Sequence, residues 1–223
     1  MRRDLARLID HTLLRPDAIP PDFEQLCAEA AHYNLAAVCV NSTHVRRCRA
    51  LLAKTGVKVA STVGFPLGAA SVHAKVEETI QAVRDGADEI DMVCDIGALR
   101  ASDEAAFLAD VRGVVEAAAG RPVKVILETA MLDDIQKQRG AAWTKEAGAA
   151  FVKTSTGFGG GGATVHDVLL LRTVVGPEFG VKASGGIRDA GDADALLAAG
   201  ATRLGTSAGV QIVTESTPDA EGA

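Results

Sequence analysis

The feature that most limits the fold is a repeated alternation of a short apolar run with an amphipathic segment. The apolar runs are residues 8–13, 36–41, 57–65, 89–95, 123–129, 150–156, 181–184 and 202–206. Helical patterns fill residues 22–33, 43–54, 71–85, 103–119, 132–147, 164–175, 190–199 and 209–213. Strands that alternate with helices predict a parallel sheet in an α/β protein.

Two parallel architectures fit this alternation, a doubly wound open sheet and a closed (β/α)8 barrel. The repeat is nearly even, at roughly 25–30 residues, and the chain of 223 residues has the length of one barrel. No glycine-rich dinucleotide turn follows the first run, which disfavours the open sheet. We therefore predict a single-domain (β/α)8 TIM barrel over residues 1–213, followed by a disordered polar tail over 214–223.

Candidate helix boundaries support this division. Asp22 and Ser102 stand where helices are expected to begin, since short polar side chains cap helix N-termini. Glycine follows the last periodic residue at Gly86, Gly148 and Gly200, and each of these glycines leads directly into an apolar run.

Composition narrows the partners and the compartment. A formal charge of -6 and a pI of about 5.4 argue against a nucleic-acid partner or an anionic membrane surface. No apolar stretch reaches the length of a membrane span or a signal peptide. The 4 cysteines form no CxxC motif, which favours reduced thiols and a cytoplasmic location. The 5 histidines lack metal-ligand spacing, so we expect no metal and no cofactor.

Two lysines, Lys153 and Lys182, lie within apolar runs and just before loops rich in serine, threonine and glycine. An ammonium group is costly in an apolar interior, and burial lowers its pKa toward neutrality. One such lysine alone is better explained by a structural ion pair. Two on neighbouring strands are expected to lower each other's pKa, so that one serves as an amine nucleophile and the other as an electrostatic modulator and proton carrier.

Other charged residues in the runs have more than one explanation. Asp91 is flanked by apolar residues in mid-strand, so it is expected to contact the two lysines, as a salt bridge or as a proton relay. Asp88 and Glu89 are expected to be solvated. Lys58 is expected at the solvated start of its strand, and Lys124 is expected to pair with Glu128.

The loops at the ends of the last strands predict a phosphate site. Barrels commonly bind phosphate with the loops after strands seven and eight, where glycine lets backbone N–H groups approach the oxyanion. The candidates for substrate or phosphate binding are Gly157, Gly185, Gly186, Ser207, Asp10 and Thr12. Instead of binding substrate, Asp10 has two alternative roles: a cap or turn, or a contact with a lysine. The loop 156–164 is either a lid over the ligand or a flexible connector.

Three segments together resemble the deoxyribose-phosphate aldolase family. They are Glu89-Ile90-Asp91-Met92-Val93, Phe151-Val152-Lys153-Thr154-Ser155-Thr156-Gly157-Phe158 and Val181-Lys182-Ala183-Ser184-Gly185-Gly186-Ile187-Arg188. Supporting likeness lies in Ile9-Asp10-His11-Thr12-Leu13-Leu14, Val38-Cys39-Val40-Asn41 and Lys124-Val125-Ile126-Leu127-Glu128-Thr129. The likeness runs from about residue 5 to 213.

This resemblance implies a metal-free class I aldolase that interconverts 2-deoxy-D-ribose 5-phosphate with D-glyceraldehyde 3-phosphate and acetaldehyde. It implies that Lys153 forms the imine, that Lys182 lowers the pKa of its neighbour, and that Asp91 donates and accepts protons. A Schiff-base aldolase for another sugar phosphate and a phosphate-binding sensor without catalysis remain as alternatives. Many such barrels pair as dimers, but no surface pattern in the sequence establishes a homodimer.

Overall fold

In the computed structural model, which describes residues 1–215, eight parallel strands close into a barrel. The strands are β1 Ile9–Leu13, β2 Ala37–Val40, β3 Lys58–Val63, β4 Glu89–Val93, β5 Val123–Ile126, β6 Phe151–Lys153, β7 Gly180–Ser184 and β8 Arg203–Thr206. Each strand pairs with the next along the chain, and β8 pairs with β1. The predicted (β/α)8 barrel is thus confirmed, and the doubly wound alternative is wrong.

The helices surround this barrel. They are α1 Arg3–Ala6, α2 Pro20–Tyr33, α3 Val45–Leu51, α4 Val72–Arg84, α5 Ile96–Ala101, α6 Glu104–Ala117, α7 Asp134–Glu146, α8 Val165–Val175, α9 Ala190–Ala198 and α10 Gly209–Thr214. Short 3-10 turns lie at Ser42–His44 and Thr129–Met131. The sequence analysis missed α1 and α5, since each has fewer than two helical turns and shows little periodicity.

Capping residues explain where several helices begin and end. Ser102 does not start α6 as expected, because it ends α5 in the left-handed conformation with φ 61°, and Asp103 caps α6 instead. The glycines predicted to end helices, such as Gly86 and Gly148, have φ of 100° and 85°. A residue with a Cβ is strained in this region, so glycine is favoured there.

The last helix includes Thr214, one residue beyond its predicted end. Glu215 then accepts a hydrogen bond from the backbone N–H of Ala190 at 2.8 Å. The rest of the predicted disordered tail, residues 216–223, lies outside the described residues.

The apolar core lies between the strands and the ring of helices. Within α6, the buried residues Phe107, Val111 and Val114 are spaced so that they fall on one helix face, which packs inward. The 4 cysteines are buried and unpaired by disulfides. No helix among residues 1–215 combines the length and the apolarity needed to cross a membrane.

Several strands are shorter than their apolar runs because backbone turns end them. Gly64, with φ 62°, follows β3, and Glu128, with φ 58°, lies two residues beyond β5. Both residues leave extended geometry at the C-terminal ends of the strands, which is the end at which barrels place their active sites. The chain beyond each strand is therefore free to form a loop around that mouth.

Candidate active site

Strand alternation directs a set of charged side chains into the barrel interior. Successive side chains on a strand point to opposite faces, so Glu89 and Asp91 on β4 face the same side. Neighbouring strands bring lysines to them: Asp91 is in register with Lys124 on β5, and Lys153 on β6 is in register with Lys182 on β7. The interior therefore holds a compact group of opposite charges rather than an apolar filling.

Asp91 is the centre of this group and is fully buried. Its Oδ2 atom lies 2.7 Å from Nζ of Lys153 and 2.7 Å from Nζ of Lys182. Its Oδ1 atom lies 2.6 Å from Nζ of Lys124. The expected contact between Asp91 and both lysines of the pair is present, and a third lysine joins it. One carboxylate thus links three amino groups from three adjacent strands.

A second set of contacts continues toward the N-terminal ends of the strands, which we call the base of the barrel. Asp10 contacts Nζ of Lys182 through Oδ2 and Arg203 through Oδ1, the latter at 2.7 Å. Glu89 lies 2.7 Å from Nζ of Lys124 and 3.2 Å from Arg203. These ion pairs connect the base of the barrel to the lysines above it.

The count of charges in this group sets Lys153 apart. Three buried carboxylates face three largely buried cations other than Lys153, apart from the half-exposed Lys58 that also contacts Glu89; the carboxylates are Asp10, Glu89 and Asp91, and the largely buried cations are Lys124, Lys182 and Arg203. These six charges balance, so a proton on Lys153 adds a net positive charge to a buried group. An uncompensated buried charge is costly, and loss of the Lys153 proton relieves that cost.

The pKa directions follow from these contacts. Burial lowers the pKa of Lys153 below its ordinary value, and the positive charge of Lys182 adds to that effect against the opposing attraction of Asp91. Burial also acts against the charged form of Lys182, but Asp10 and Asp91 outweigh it and raise the pKa of that lysine. The expectation that each lysine lowers the other's pKa is therefore right for Lys153 and wrong for Lys182.

The pKa of Asp91 lies well below its ordinary value. Burial alone raises it, but Lys124, Lys153 and Lys182 together more than reverse that effect. Asp91 is therefore a carboxylate at neutral pH, and Lys182 is an ammonium. An amino group with a lowered pKa, a carboxylate and an ammonium thus lie within hydrogen-bonding distance at one place, which is a set suited to proton transfer during imine chemistry.

An open cavity of about 340 Å³ lies above this group at the C-terminal ends of the strands. We call this the upper cavity. Among the described residues of the charged group, Lys153 lines the upper cavity, whereas Asp91 and Lys182 lie beneath it. Lys153 is therefore the lysine of the pair that a ligand in the upper cavity can contact directly, whereas Lys182 is not.

Most of the predicted binding residues line the upper cavity. They are Thr12, Gly157, Gly185, Gly186 and Ser207. Asp10 does not line it, because Asp10 is the second residue of β1 rather than its end and points into the charged group. Of the alternatives given for Asp10, contact with a lysine is the one that the structure shows.

Two consecutive glycines form the predicted phosphate loop after β7. Gly185 and Gly186 have φ of 85° and 79°. A Cβ on Gly185 would lie 3.0 Å from Cα of Gly162, so this loop packs closely against the loop after β6. Ser207, in the loop after β8, lines the same cavity.

The loop after β6 is held by its neighbours. Glu128 accepts a hydrogen bond from the Thr156 hydroxyl, and Ala163 N–H donates to the carbonyl of Gly185 at 3.0 Å. A Cβ on Gly162 would lie 2.3 Å from that same carbonyl oxygen, so close backbone approach requires glycine there. Glycine at position 162 therefore permits close packing of the loops after β6 and β7. Glu128, which was expected to pair with Lys124, instead anchors this loop.

Two further expectations about charged residues are corrected. Glu89 is not solvated: it is 1 % exposed and bonded to Lys124. Lys58 does lie at the start of β3 as predicted and is half-exposed, but its Nζ is 2.9 Å from Oε1 of Glu89. Sequence patterns did not identify these contacts because they depend on which strands become neighbours when the barrel closes.

Arg15 is a cavity residue that the sequence analysis missed. It lines the upper cavity and is held by ion pairs to Asp17 and Asp22. Its neighbours in sequence, Leu14 and Pro16, gave no pattern that separates it from an ordinary surface arginine. Among the described residues that line this cavity, Arg15 and Lys153 are the two with basic side chains.

One group of side chains outside the barrel has the donor atoms of a metal site. Asp134, His166 and Asp167 lie close together on the outer ring of helices. Nζ of Lys137 lies 3.1 Å from Asp134 and 2.8 Å from Asp167, so both carboxylates already share one ammonium as an ion-pair partner.

Comparison with known proteins decides the family. Residues 5–215 match the model of the DeoC/LacD family aldolases. The chain belongs to this family. The predicted family is thereby confirmed, and so is the expectation of an enzyme rather than a sensor without catalysis.

Relatives of this aldolase match over nearly their full length. Deoxyribose-phosphate aldolase 1 of Bacillus licheniformis is 53% identical over 220 residues, which is 98% of this chain and 99% of the relative. The deoxyribose-phosphate aldolase of Methanothermobacter thermautotrophicus is 53% identical over 213 residues, covering 95% of each chain.

Solved structures agree with this assignment. A putative deoxyribose-phosphate aldolase from Coccidioides immitis superposes with a TM-score of 0.92 at 42% identity, covering 95% of this chain and 85% of that one. The deoxyribose phosphate aldolase of Aeropyrum pernix, described as tetrameric, gives a TM-score of 0.89 at 37% identity, covering 95% and 90%. The closed barrel of eight parallel strands is therefore the fold of this family.

Proposed function

We propose that this aldolase reversibly cleaves 2-deoxy-D-ribose 5-phosphate to D-glyceraldehyde 3-phosphate and acetaldehyde through an imine on Lys153. One observation carries the choice of residue: Lys153 combines a lowered pKa with a place in the lining of the upper cavity. The names of the relatives support the choice of substrate. The small size of the upper cavity also suits a five-carbon sugar phosphate.

Cleavage begins when the neutral amine of Lys153 attacks C1 of the open-chain aldehyde. The carbinolamine that forms loses water and becomes a protonated imine, which withdraws electrons from the C2–C3 bond. Removal of the proton from the C3 hydroxyl lets that bond break, because its electron pair passes into the C1–C2 bond as an enamine forms. D-Glyceraldehyde 3-phosphate then leaves as the free aldehyde.

The second half of the reaction returns the enzyme to its starting state. The enamine takes a proton at C2, and water adds to the resulting imine and releases acetaldehyde. Asp91 and Lys182 are suited to move these protons, because one is a carboxylate and the other an ammonium at neutral pH. Positioned proton transfer of this kind typically contributes about 10²–10⁴-fold to the rate.

The phosphate end of the substrate is expected at the opposite side of the upper cavity from Lys153. The cavity is lined there by Gly185, Gly186, Ser207 and Arg15, whose backbone N–H, hydroxyl and guanidinium groups are suitable phosphate donors. Binding energy gained at the phosphate can position C1 against the amine and so serve the chemical step.

Borohydride trapping tests the nucleophile. Incubation with 2-deoxy-D-ribose 5-phosphate and borohydride is expected to add a reduced adduct at Lys153, located by peptide mass spectrometry. The Lys153→Leu variant is expected to gain none. An adduct on Lys182 in the wild-type enzyme would overturn the assignment of roles, and the absence of any adduct would overturn the imine mechanism.

Substrate profiling tests the choice of sugar. The proposal predicts that acetaldehyde is the preferred donor in the synthetic direction and that the ketone donor dihydroxyacetone is poorly used. Preference for the ketone would favour the alternative of a Schiff-base aldolase for another sugar phosphate.

The cellular setting also belongs to the proposal. The reaction fits the catabolism of deoxyribose phosphates, and reduced, buried thiols fit a cytoplasmic enzyme. A homodimer is the assembly that we expect. Sedimentation velocity at micromolar concentration measures it directly, and a monomer would contradict it.

A further inference from the structure

A second cavity lies at the base of the barrel, at the opposite end from the catalytic lysine. Its volume is about 580 Å³, which is within the range typical of small-molecule sites. It lies between the ends of α1, α2 and α3 and the starts of β2, β3 and β8. We call it the basal cavity.

Four basic side chains line the basal cavity: Arg7, Lys54, Lys58 and Arg203. No acidic side chain lines it among the described residues. This is an unusual surface for a chain with a formal charge of -6. Such one-signed concave surfaces concentrate ligands of the opposite charge.

Two of these cations are already compensated, and two are not. Lys58 and Arg203 contact Glu89, and Arg203 also contacts Asp10. Arg7 and Lys54, in contrast, make no ion pair and no side-chain hydrogen bond with any other residue in the range 1–215. Both are exposed. The positive charge of the basal cavity is therefore available to a ligand.

Neutral donors complete the lining. Asn34, which ends α2 with φ 54° and carries a carboxamide, and Gly56, which offers only backbone polar groups, both line the basal cavity. Guanidinium, ammonium and amide N–H groups together are the donors that proteins use for phosphate oxygens. Two uncompensated cations suit a ligand with at least two negative charges.

We propose that the basal cavity is a binding site for a small polyphosphate anion, held principally by Arg7 and Lys54. The site is separate from the upper cavity, since the two share no lining residue. Arg203 extends from the basal cavity into the buried ion pairs, so the bound anion lies at one end of the series of contacts through Asp10 and Lys182.

Titration with pyrophosphate, followed by ¹⁵N NMR of the wild-type enzyme, tests this proposal. Ionic strength is held constant with chloride. We expect saturable shifts at the Gly56 backbone amide and the Asn34 side-chain amide. Reporters at Gly186 and Ser207 identify any separate binding in the upper cavity.

The double variant Arg7→Gln/Lys54→Gln is expected to bind at least about tenfold more weakly at the basal reporters, because two charge-assisted contacts are lost. Arg84→Gln removes an exposed arginine that has no ion pair within residues 1–215, and it is expected to bind as the wild type does. The amide spectrum of each variant also reports its folding.

Three results would overturn the site: no saturable shift at Gly56 and Asn34, shifts confined to Gly186 and Ser207, or equal affinity in the double variant. In those cases the cations only complement the carbonyl groups at the ends of α1 and α3, as basic residues often do at helix C-termini.

Discussion

The Nζ atom of Lys153 lies 2.7 Å from Oδ2 of Asp91. The same oxygen lies 2.7 Å from Nζ of Lys182, so the two amino groups share one acceptor. This arrangement keeps the two amino groups close while the carboxylate separates their charges. In the proposed mechanism, the same contacts place a carboxylate and an ammonium beside the atoms that would react on Lys153.

Replacement of Lys153 by leucine removes the nucleophile without removing a compensating charge. Turnover of 2-deoxy-D-ribose 5-phosphate is expected to fall at least about 10⁴-fold, since no other amine of the group lines the described part of the upper cavity. Folding is expected to persist, because the remaining buried charges balance. Steady-state kinetics and thermal unfolding monitored by circular dichroism measure both effects. Retained turnover in Lys153→Leu would exclude the imine mechanism.

The rate is expected to rise with pH as Lys153 loses its proton. Burial and the charge of Lys182 lower the pKa of Lys153, so the acid limb of the profile of log kcat/KM lies below the ordinary lysine pKa of 10.5. Removing the positive charge in Lys182→Met leaves Asp91 to attract the Lys153 proton more strongly. The acid limb of the variant is therefore expected to move to higher pH.

That shift separates an electrostatic role of Lys182 from a purely structural one. A variant that lost activity through misfolding would show a lower maximum at an unchanged midpoint. An unchanged midpoint in Lys182→Met, with native circular dichroism, would contradict the electrostatic role.

Short local patterns in the sequence predicted some residues of this site, namely the two lysines and the loop residues that line the upper cavity. Lys153 and Lys182 were identifiable because charged residues in apolar runs are costly unless they have a function or a partner. Gly185, Gly186 and Ser207 were identifiable because loops at the ends of barrel strands bind phosphate. Both signals need only a few consecutive residues and the order of the strands.

The partners of buried charges depend instead on strand register, which a local pattern does not contain. Lys124 and Glu128 alternate on the same run and were expected to pair. The barrel instead places Asp91 and Glu89 beside Lys124, at 2.6 and 2.7 Å, whereas Glu128 enters a left-handed turn and anchors another loop. A shift of one residue in register moves a side chain to the opposite face of the sheet.

Asp91→Asn is expected to destabilise the fold as well as to slow catalysis. The change leaves Lys124 and Lys182 with one carboxylate fewer in a site that excludes water, and breaking such a buried network typically costs about 3–5 kcal/mol. Urea unfolding measures the free energy of unfolding of the variant against the wild type. Asp4→Asn, on the exposed surface, serves as the control and is expected to change stability by less than about 1 kcal/mol. Equal free energies of unfolding for the two variants would contradict the proposal that Asp91 stabilises the buried lysines.

Acid is expected to unfold the protein partly through the same carboxylate. The pKa of Asp91 is lowered in the folded state, so its contribution to stability is complete above its unfolded value of about 3.9. The contribution is lost as the pH falls below that value toward the folded pKa, because the unfolded state then binds more protons. Urea unfolding of the wild type and Asp91→Asn between pH 3 and pH 7 measures the difference. If the free energy of unfolding fell equally with pH in both proteins, Asp91 would not be a source of the acid sensitivity.

Arg15→Gln tests whether the guanidinium at the rim of the upper cavity recognises the phosphate. Arg15 is bound by Asp17 and Asp22, which orient it but also offset its charge. One charge-assisted contact is worth about 1.5–3 kcal/mol, so the loss is expected to raise KM for 2-deoxy-D-ribose 5-phosphate by about tenfold or more, with a smaller change in kcat.

Unphosphorylated 2-deoxy-D-ribose is the matched comparison for Arg15→Gln, because it lacks the group that Arg15 would hold. Its kcat/KM is expected to be the same in the variant and the wild type. Arg46→Gln, an exposed arginine paired with Asp85 on the outer ring, is expected to leave both substrates unaffected. Equal losses for the phosphorylated and unphosphorylated sugars would show that Arg15 supports the shape of the loop after β1 and does not contact the phosphate.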